Sequence, residues 1–186
     1  IIAKLCIFKK PMNKLRELQK LTSEAVKNGH HGLFTTHDLA LMLQVIPDTS
    51  FRKYLYTSVK TGVLRKVATN IYFNPESNIS HKYVLEKIAK ILHWDKFIYV
   101  SLESQLSYLG IISQIPMKRL TIMTTGRKRE FETCFGVIEF THTARSITSL
   151  LDDVYFDSDA GIFRAYQARA IQDLKRVGRN VAMLEE

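Results

Sequence analysis

The chain has only two cysteines, Cys6 and Cys134, in 186 residues. Two thiols cannot build the disulfide framework of a small secreted domain, and no set of Cys and His residues has metal-ligand spacing. No apolar run approaches the roughly 20 residues that a membrane span requires, and no signal peptide is evident. These absences predict a cytoplasmic protein that contacts no membrane and uses no metal or other cofactor.

The arrangements that enzymes use are also missing. Asp152 and Asp153 are adjacent, so in a helix or a strand they diverge and cannot readily share one proton or metal. Ser101, Ser104 and Ser107 have no His and Asp arrangement nearby, and the sequence contains no glycine-rich phosphate loop. We therefore expect no catalytic residues, which leaves binding and regulation as the function classes.

Positive charge is plentiful but unevenly distributed. Residues 1–80 contain 12 Lys and Arg against 5 Asp and Glu, a net charge of +7, whereas residues 81–186 contain 15 against 13, a net charge of +2. The composition is otherwise that of a globular protein, with 46% apolar and 24% charged residues. The asymmetry favours a polyanionic partner for the first half of the chain.

Residues 33–75 carry the pattern of a helix, a tight turn and a second helix. Thr35 or Thr36 can cap the first helix by accepting a backbone N–H bond. The sequence Pro47-Asp48-Thr49 ends that helix and caps the next one. Along the second helix the apolar residues recur every four positions on one face: Phe51, Leu55 and Val59.

A β-hairpin is predicted directly after the second helix. Gly62 can supply the positive φ that ends a helix, and β-prone runs follow at residues 63–67 and 70–73, joined by Ala68-Thr69. A helix, a turn, a helix and a hairpin in about forty residues form the winged helix-turn-helix pattern. The fold class is therefore predicted to be α+β, with a winged helix-turn-helix domain over residues 1–78.

The polar face of the second helix suggests that this domain binds DNA. A twelve-residue helix is about 18 Å long, which suits a major groove. Arg can read a guanine edge, and Lys, Ser and Thr can hold phosphates. The alternative is a basic, solvated helix that serves only protein contacts. The candidate DNA-binding residues on the helix and wing are Thr49, Ser50, Arg52, Lys53, Tyr56, Thr57, Lys60, Arg65, Lys66 and Asn70.

The pattern changes in the second half, and residues 79–186 are predicted to form a mixed α/β domain with a small sheet. Ser80 can cap a helix that runs to Trp94, and Ser101 can cap another. Strands are expected near residues 97–101, 120–124 and 137–142. A last helix is predicted from Arg164 to Arg176, with Ala168, Ile171, Leu174 and Val177 facing inward. Residues 144–163 are acidic and are expected to be exposed.

A basic turn, Arg127, Lys128 and Arg129, lies between two of the predicted strands. It is a candidate second basic surface, which could contact nucleic acid or an acidic partner. A solvated hairpin tip is the alternative.

Three stretches of the second half, residues 99–113, 120–142 and 165–174, together resemble the antitoxin component of abortive-infection type IV toxin–antitoxin systems, the AbiEi family. That family has a Ser-x-Glu-Ser/Thr-Ala-Leu-Ser-x-x-Gly motif where a strand runs into a helix, and Gln105 stands here in place of its small residue. The wing resembles the family's Gly-x-Tyr motif, with Asn70-Ile71-Tyr72. The other matching positions are Ser101, Glu103, Ser104, Leu106, Ser107, Gly110, Thr124, Thr125, Arg127, Arg129, Phe135 and Gly136.

The resemblance implies a DNA-binding autorepressor of a phage-defence system. Such a protein binds double-stranded operator DNA with inverted repeats, as a homodimer on DNA. It also counteracts a nucleotidyltransferase-like toxin, without requiring a stable complex with that toxin, and the basic turn is then the candidate antitoxin surface. A plain winged-helix transcriptional regulator, whose second domain binds a ligand or dimerises, remains the alternative.

Overall fold

The structure is a computed structural model that describes residues 14–113 and 118–184, so Cys6 lies outside it. The chain divides into two compact units, residues 1–80 (unit 1) and residues 81–186 (unit 2). Each unit contains its own β-sheet, and helices are present in both, so the fold class is α+β as predicted. Compactness does not show that a unit folds alone, so the domain boundary at residue 78 stays a prediction.

Unit 1 has the order of elements of a winged helix-turn-helix. Its three strands form an antiparallel sheet in the order β1-β3-β2, in which β2 and β3 are the wing hairpin. Helices α2 and α3 are the helix-turn-helix pair. The elements are α1 (Lys14–Lys27), β1 (Phe34–Thr35), α2 (Thr36–Met42), α3 (Thr49–Lys60), β2 (Arg65–Ala68) and β3 (Ile71–Phe73).

Local capping explains where the two helices of the pair begin. The Thr35 hydroxyl accepts a bond from the Asp38 N–H, and the Asp38 carboxylate accepts one from the Thr35 N–H at 2.8 Å, which is a capping box. The Asp48 carboxylate accepts a bond from the Phe51 N–H at 2.8 Å. Both helices therefore begin where the sequence predicts, because their caps lie within three residues of the first turn.

The buried face of α3 follows the helical period of 3.6 residues rather than the predicted spacing of four residues. Phe51, Leu55 and Ser58 are buried, whereas Val59 is half-buried. A spacing of four residues drifts around a helix that has 3.6 residues per turn, so the third inward position shifts from 59 to 58. The Ser58 hydroxyl is satisfied there by donating to the Tyr54 carbonyl at 2.9 Å.

The two wing strands are shorter than predicted, and each begins at a later residue. They pair Arg65 with Phe73 and Lys66 with Tyr72, with an irregularity before Ala68. The turn residue Asn70 has a φ of 61°, the left-handed conformation that its place in the Gly-x-Tyr comparison requires. The strands begin at Arg65 rather than Val63 because the chain first leaves α3 through Gly62, whose φ is +78°.

Unit 2 contains a six-stranded mixed sheet, in the order β6-β7-β5-β4-β9-β8. Strand pairs β5/β7 and β4/β9 are parallel, and the other neighbours are antiparallel. The elements are α4 (Val84–Leu92), β4 (Ile98–Val100), α5 (Leu102–Tyr108), β5 (Arg119–Thr124), β6 (Arg129–Thr133), β7 (Gly136–His142), α6 (Ile147–Leu150), β8 (Val154–Asp157), β9 (Ile162–Ala165) and α7 (Gln167–Arg176).

Helices cover both faces of this sheet. On β7 the Phe140 ring stacks on His93, which follows α4. The preceding residue of the strand, Glu139, pairs with Arg179, which follows α7. Because neighbouring residues of a strand point to opposite faces, α4 lies on one face and α7 on the other. Helix α5 packs with α7, and their buried side chains share one core with Tyr99 and Met123.

Residues 144–163 are exposed at more than half of their positions, as predicted, but the sheet to which they contribute is larger than the small sheet predicted. This segment forms α6, a short 3₁₀ turn, β8 and the start of β9, and these two strands widen the sheet to six. Its apolar residues Leu150, Val154, Ala160 and Ile162 are buried. Of its carboxylates, Asp153 and Asp157 pair with arginines, at 3.3 and 2.6 Å, instead of facing only solvent.

The start of α4 differs from prediction. Helix α4 begins at Val84, after Tyr83 in the left-handed conformation with a φ of 56°, and not at a cap by Ser80. It ends at Leu92, so Trp94 lies beyond it. Helix α5 begins directly after Ser101, as predicted, but the Ser101 side chain makes no capping bond, and its hydroxyl donates to the Asp173 carboxylate at 2.9 Å.

Helix α7 begins at Gln167, since Arg164 and Ala165 belong to β9. The prediction that Ala168 faces inward is wrong, because this residue is exposed and the buried face includes Arg169 and Asp173. These two form an ion pair at 2.9 Å, and Tyr99 donates to the same carboxylate at 3.0 Å. A sequence pattern counts charged residues as outward, so it assigns the wrong face when a charge is buried with its partner.

Candidate nucleic-acid interface

The outer face of α3 presents all seven helix residues that were predicted to contact DNA. Each of them is exposed, namely Thr49, Ser50, Arg52, Lys53, Tyr56, Thr57 and Lys60. The opposite face is packed in the core with Leu18, Phe34 and Leu39. The helix is therefore held from one side, and a continuous row of basic, hydroxyl and aromatic side chains faces outward.

Two contacts organise side chains within this outer face. The Lys60 ammonium lies 5.0 Å from the centre of the Tyr56 ring, one helical turn earlier, and the ring is 62% exposed. The Thr57 hydroxyl donates to the Lys53 carbonyl at 3.1 Å. The Thr57 proton is thus used inside the helix, and Thr57 is a weaker candidate phosphate donor than Ser50 or Lys53.

Tyr54 holds α3 against α1, a role that the sequence pattern did not indicate. Its hydroxyl donates to the Lys14 carbonyl at 2.8 Å, and its ring stacks near Phe51. Burial raises the pKa of Tyr54 above its usual value, so the phenol stays protonated and able to donate. The sequence did contain a signal for this role, because Tyr54 lies three residues after the buried Phe51, and residues i and i+3 share a helix face.

The wing residues are also exposed, but Arg65 and Lys66 are not equivalent. Arg65 pairs across the hairpin with the buried Phe73, and Lys66 pairs with the half-buried Tyr72. Cross-strand partners share a face, so Arg65 lies on the side of the core and Lys66 on the outer side. Asn70, at the exposed tip, accepts a bond from the Thr36 N–H through its carbonyl at 3.0 Å.

The end of the wing is tied to α1 by a buried amide. Asn74 is fully buried, and its Nδ2 lies within 3.1 Å of the Gln19 carbonyl and within 3.0 Å of both Thr22 Oγ1 and Ser23 Oγ. The hairpin therefore leaves the core at a defined point. This links the position of Lys66 to the packing of α1.

The basic turn Arg127, Lys128 and Arg129 is exposed at the β5–β6 connection in unit 2. The turn is well supported. A Cβ on the buried Gly126 would lie 3.1 Å from Lys96 Cγ and 3.2 Å from His93 Cε1, and the Gly126 carbonyl lies 2.7 Å from His142 Nδ1. Its three cations are therefore presented on a supported turn beside the end of α4.

His93 is the central residue of that support. Its ring stacks on Phe140 at 3.9 Å between centroids, with an interplanar angle of 6°, and its Nδ1 lies 3.0 Å from Thr124 Oγ1. Burial lowers the pKa of His93, an effect that Asp95 opposes and that Lys96 and Arg129 reinforce. The His93 ring is therefore uncharged at neutral pH and adds no further positive charge beside Lys96 and Arg129.

The motif that suggested the AbiEi resemblance has structural roles in unit 2. Ser104 exchanges bonds with β5, accepting at Oγ from the Thr121 N–H at 2.8 Å and donating to the Arg119 carbonyl at 3.2 Å. Glu103 pairs with Arg179 at 3.2 Å, and Gly110 has a φ of +70°. Gln105, which replaces a small residue, donates to the Ala165 carbonyl at 2.8 Å. These residues dock α5 on the sheet.

No helix in the part of the chain that the structure describes has the length and apolar character needed to span a membrane. Within residues 14–113 and 118–184, no cluster of three or more His, Cys, Asp or Glu side chains could hold a metal ion. Neither the protein-family models nor the curated proteins include a match to this chain.

Proposed function

We propose that the protein is a cytoplasmic, non-enzymatic DNA-binding autorepressor that places α3 in the major groove of its operator. The observation that carries the proposal is the division of α3 into a packed apolar face and an exposed basic face. Arg52 and Lys53 are adjacent on the exposed side, where a guanidinium can fork onto a guanine edge and an ammonium can hold a phosphate. The wing, through Lys66, contacts the flanking backbone.

A second part of the proposal is an antitoxin role in an abortive-infection phage-defence system, which rests on the resemblance of unit 2 to the AbiEi family. Unit 2 acts against a nucleotidyltransferase-like toxin, and a stable complex with that toxin is not required. The exposed turn Arg127, Lys128 and Arg129 is its candidate contact surface. Its rigid seat on Gly126 supports a binding role over that of a loose hairpin tip.

On an operator with inverted repeats the protein binds as a homodimer, with its two recognition helices about one helical turn apart. Unit 1 exposes apolar side chains that support this arrangement. Ile46, in the turn between α2 and α3, is 80% exposed, beside a groove of about 450 Å³ that Leu43 and Tyr54 help to line. A surface of this kind is available to a second copy.

The alternative function, a winged-helix regulator that senses a ligand through unit 2, is favoured by one feature. A cavity of about 370 Å³ in unit 2 is lined by Arg119, Arg164, Tyr83 and Tyr108, among other residues. Arg164 is buried in it, lying 4.3 Å from the Tyr108 ring centre and paired with Asp157 and Glu86. The Arg164 guanidinium is already paired with both carboxylates, so it is not available to bind a ligand. The case for ligand sensing is therefore weaker than the case for DNA binding by α3.

The DNA-binding proposal is tested with the full chain and duplex DNA from upstream of its own gene. Replacing Arg52 and Lys53 together with Ala should weaken binding by about 1–3 kcal/mol for each bidentate base interaction that the substitutions remove, while circular dichroism stays unchanged. The matched control is Lys20→Ala with Lys27→Ala, which removes two charges from α1. Equal affinity of both double variants would remove α3 from the interface.

The antitoxin role is tested by co-expressing the full chain with the neighbouring gene product and measuring growth. We expect the wild-type chain and the Arg52→Ala/Lys53→Ala variant to rescue growth. A variant with Arg127, Lys128 and Arg129 replaced by Ala should not rescue it. Failure of the wild-type chain to rescue growth would favour the plain regulator.

A further inference from the structure

The most exposed large apolar side chain described in unit 2 is Trp94, which is 83% exposed. It lies just beyond α4, next to a groove of about 300 Å³. A large indole left in solvent gains nothing for folding from its apolar area, so its exposure calls for a different explanation. The groove is lined in part by Lys90, His93, Trp94, Lys96, Phe156 and Phe163, here called the Trp94 surface.

The aromatic part of the Trp94 surface is built in two layers. Phe156, on the edge strand β8, is 57% exposed and meets Phe163 edge-on, with ring centroids 5.3 Å apart. Phe163 in turn packs on Phe97 at 5.2 Å. The outer rings of Trp94 and Phe156 are therefore available for stacking, and the inner rings of Phe163 and Phe97 hold the floor of the groove.

Lysines border these rings, and the two carboxylates of the β8–β9 turn, Asp157 and Asp159, are paired with Arg164 and Lys82. A Cβ on Gly161 would lie 3.1 Å from the Lys90 ammonium, which places this cation at the β8–β9 turn. Lys96 reaches the buried Gly126, directly before Arg127, Lys128 and Arg129. Asp95 is the carboxylate closest in sequence to Trp94, and it pairs with Lys96 at 3.0 Å. Such an exposed pair is weak, so Lys96 can exchange it for another anion.

We propose that the Trp94 surface binds a single-stranded polynucleotide, with bases stacking on Trp94 and Phe156 and the phosphates passing Lys90, Lys96 and the Arg127–Arg129 turn. Exposed aromatic rings bordered by cations are the chemistry that recognises unpaired bases independently of sequence. An acidic polypeptide could pair with the cations, but its carboxylates would not stack on the exposed aromatic rings. A duplex hides its base faces, so this site is separate from the duplex-binding role of α3.

The chain contains one tryptophan, so indole fluorescence reports on this site directly. The full chain is titrated with twelve-nucleotide oligouridylate and oligothymidylate, with a duplex of the same length and with polyglutamate. Quenching of Trp94 fluorescence by either single strand is the expected result, and the two strands distinguish RNA from DNA. Quenching by neither single strand, or equal binding of polyglutamate, would overturn the proposal.

Variants separate stacking from charge, with affinity measured by the anisotropy of a labelled strand. Trp94→Ala should weaken binding about five- to one-hundred-fold, and Trp94→Phe should retain most of it. Lys90→Ala with Lys96→Ala should also weaken binding and flatten its salt dependence. The control, Arg145→Ala with Lys175→Ala, removes two exposed cations elsewhere in unit 2 and should bind normally. Equal weakening in the control would reduce the effect to net charge and refute the site.

The same titration in the Arg52→Ala/Lys53→Ala variant keeps this site distinct from the proposed operator-binding surface. Quenching should be unchanged there, even where operator duplex binding is abolished. If quenching disappears with these α3 substitutions, unit 1 is the binding site and the Trp94 proposal fails. Trp94→Ala should leave operator affinity unchanged, so each proposal can fail without the other.

Discussion

The two units use their arginines in opposite ways. In unit 1, Arg16, Arg52 and Arg65 are all exposed. In unit 2, Arg164 and Arg169 are buried beside carboxylates, and Arg179 pairs with glutamates on α5 and β7. The number of positive charges in a region therefore does not measure the charge available to a partner. Unit 1 presents its arginines to solvent, whereas much of the arginine charge of unit 2 is consumed within the fold.

The polar groups that hold each unit together differ in the same way. Unit 1 fastens its wing through the neutral amide of Asn74, and unit 2 fastens α7 through two charged side chains, because Arg169 pairs with Asp153 and the Asp173 carboxylate accepts bonds from Tyr99 and Ser101. Burying ions costs much more desolvation free energy than burying an amide. Removing one partner is correspondingly more damaging in unit 2.

The largest expected effect is that of removing Arg169. Replacing Arg169 with Met leaves the Asp173 carboxylate buried without its ion pair, which should lower the free energy of unfolding by about 3–5 kcal/mol. Urea denaturation followed by circular dichroism measures the change. The double variant Arg169→Met/Asp173→Asn should recover part of the stability, because it removes both charges while the amide oxygen can still accept from Tyr99 and Ser101.

Arg127→Met is the matched control, since Arg127 is exposed in the same unit and should change stability by no more than about 0.5 kcal/mol. If Arg169→Met behaves like this control, the buried Arg169 and its pairs with Asp153 and Asp173 do not stabilise unit 2, and the contrast between the units is wrong.

The corresponding test in unit 1 is Asn74→Ala, with a smaller expected decrease of about 1–3 kcal/mol in unfolding free energy. The substitution removes the hydrogen bonds to Gln19, Thr22 and Ser23 at once. Asn78→Ala, at an exposed position four residues later, is the control and should be near neutral. A decrease as large as that of Arg169→Met would show that neutral and charged anchors are equally costly to remove.

Neutralising the wing should affect binding rather than stability. Arg65→Ala and Lys66→Ala should each flatten the plot of log K against log salt by about 0.9 for every phosphate that the variant no longer neutralises, on any DNA sequence. Because Lys66 is on the outer side of the hairpin, its variant should have the larger effect. Salt slopes that match those of Lys20→Ala would place the wing away from the DNA backbone.

The smallest effect concerns His93, a half-buried neutral ring in unit 2. Burial lowers its pKa in the folded state, so the unfolded chain binds the proton more readily. The stability it contributes is present above its unfolded pKa of about 6.5 and is lost as the pH falls through the lower, folded value. Urea midpoints at pH 7.5 and 5.5 should differ less for His93→Phe than for the wild-type chain. An equal pH dependence in both would exclude His93 as the cause.

Unit 1 could be predicted in most of its elements because its signals are local. The caps at Thr35 and Asp48 lie within the turns that they start, and the exposed face of α3 follows from the apolar spacing of Phe51 and Leu55. The errors were displacements of one or two residues, as at Val59 and at the start of β2. The anchoring side chains Tyr54 and Asn74 were missed because their partners lie about 40 to 55 positions away.

Unit 2 was predicted less well because its decisive contacts are distant in sequence. Strands β8 and β9 are only four residues long and include Asp157 and Arg164, so their few β-prone residues are a weak signal for a sheet. They become strands because β9 pairs with β4, through Tyr99↔Phe163 and Val100↔Arg164. The Trp94 surface was likewise invisible, since Trp94 and Phe156 are brought together by this pairing.

The helix-turn-helix order, the caps of its helices and the outward basic row of α3 can all be predicted from the amino-acid sequence. These depend on interactions within a few residues, which the chain specifies directly. Only the tertiary structure decided which charges are buried, with Arg169 and Asp173 turned inward and Ala168 outward. These two charges pair with each other within α7, but they can leave water only because Asp153, Tyr99 and Ser101 also bond to them, from 16 to 74 positions away, and no local pattern indicates those contacts.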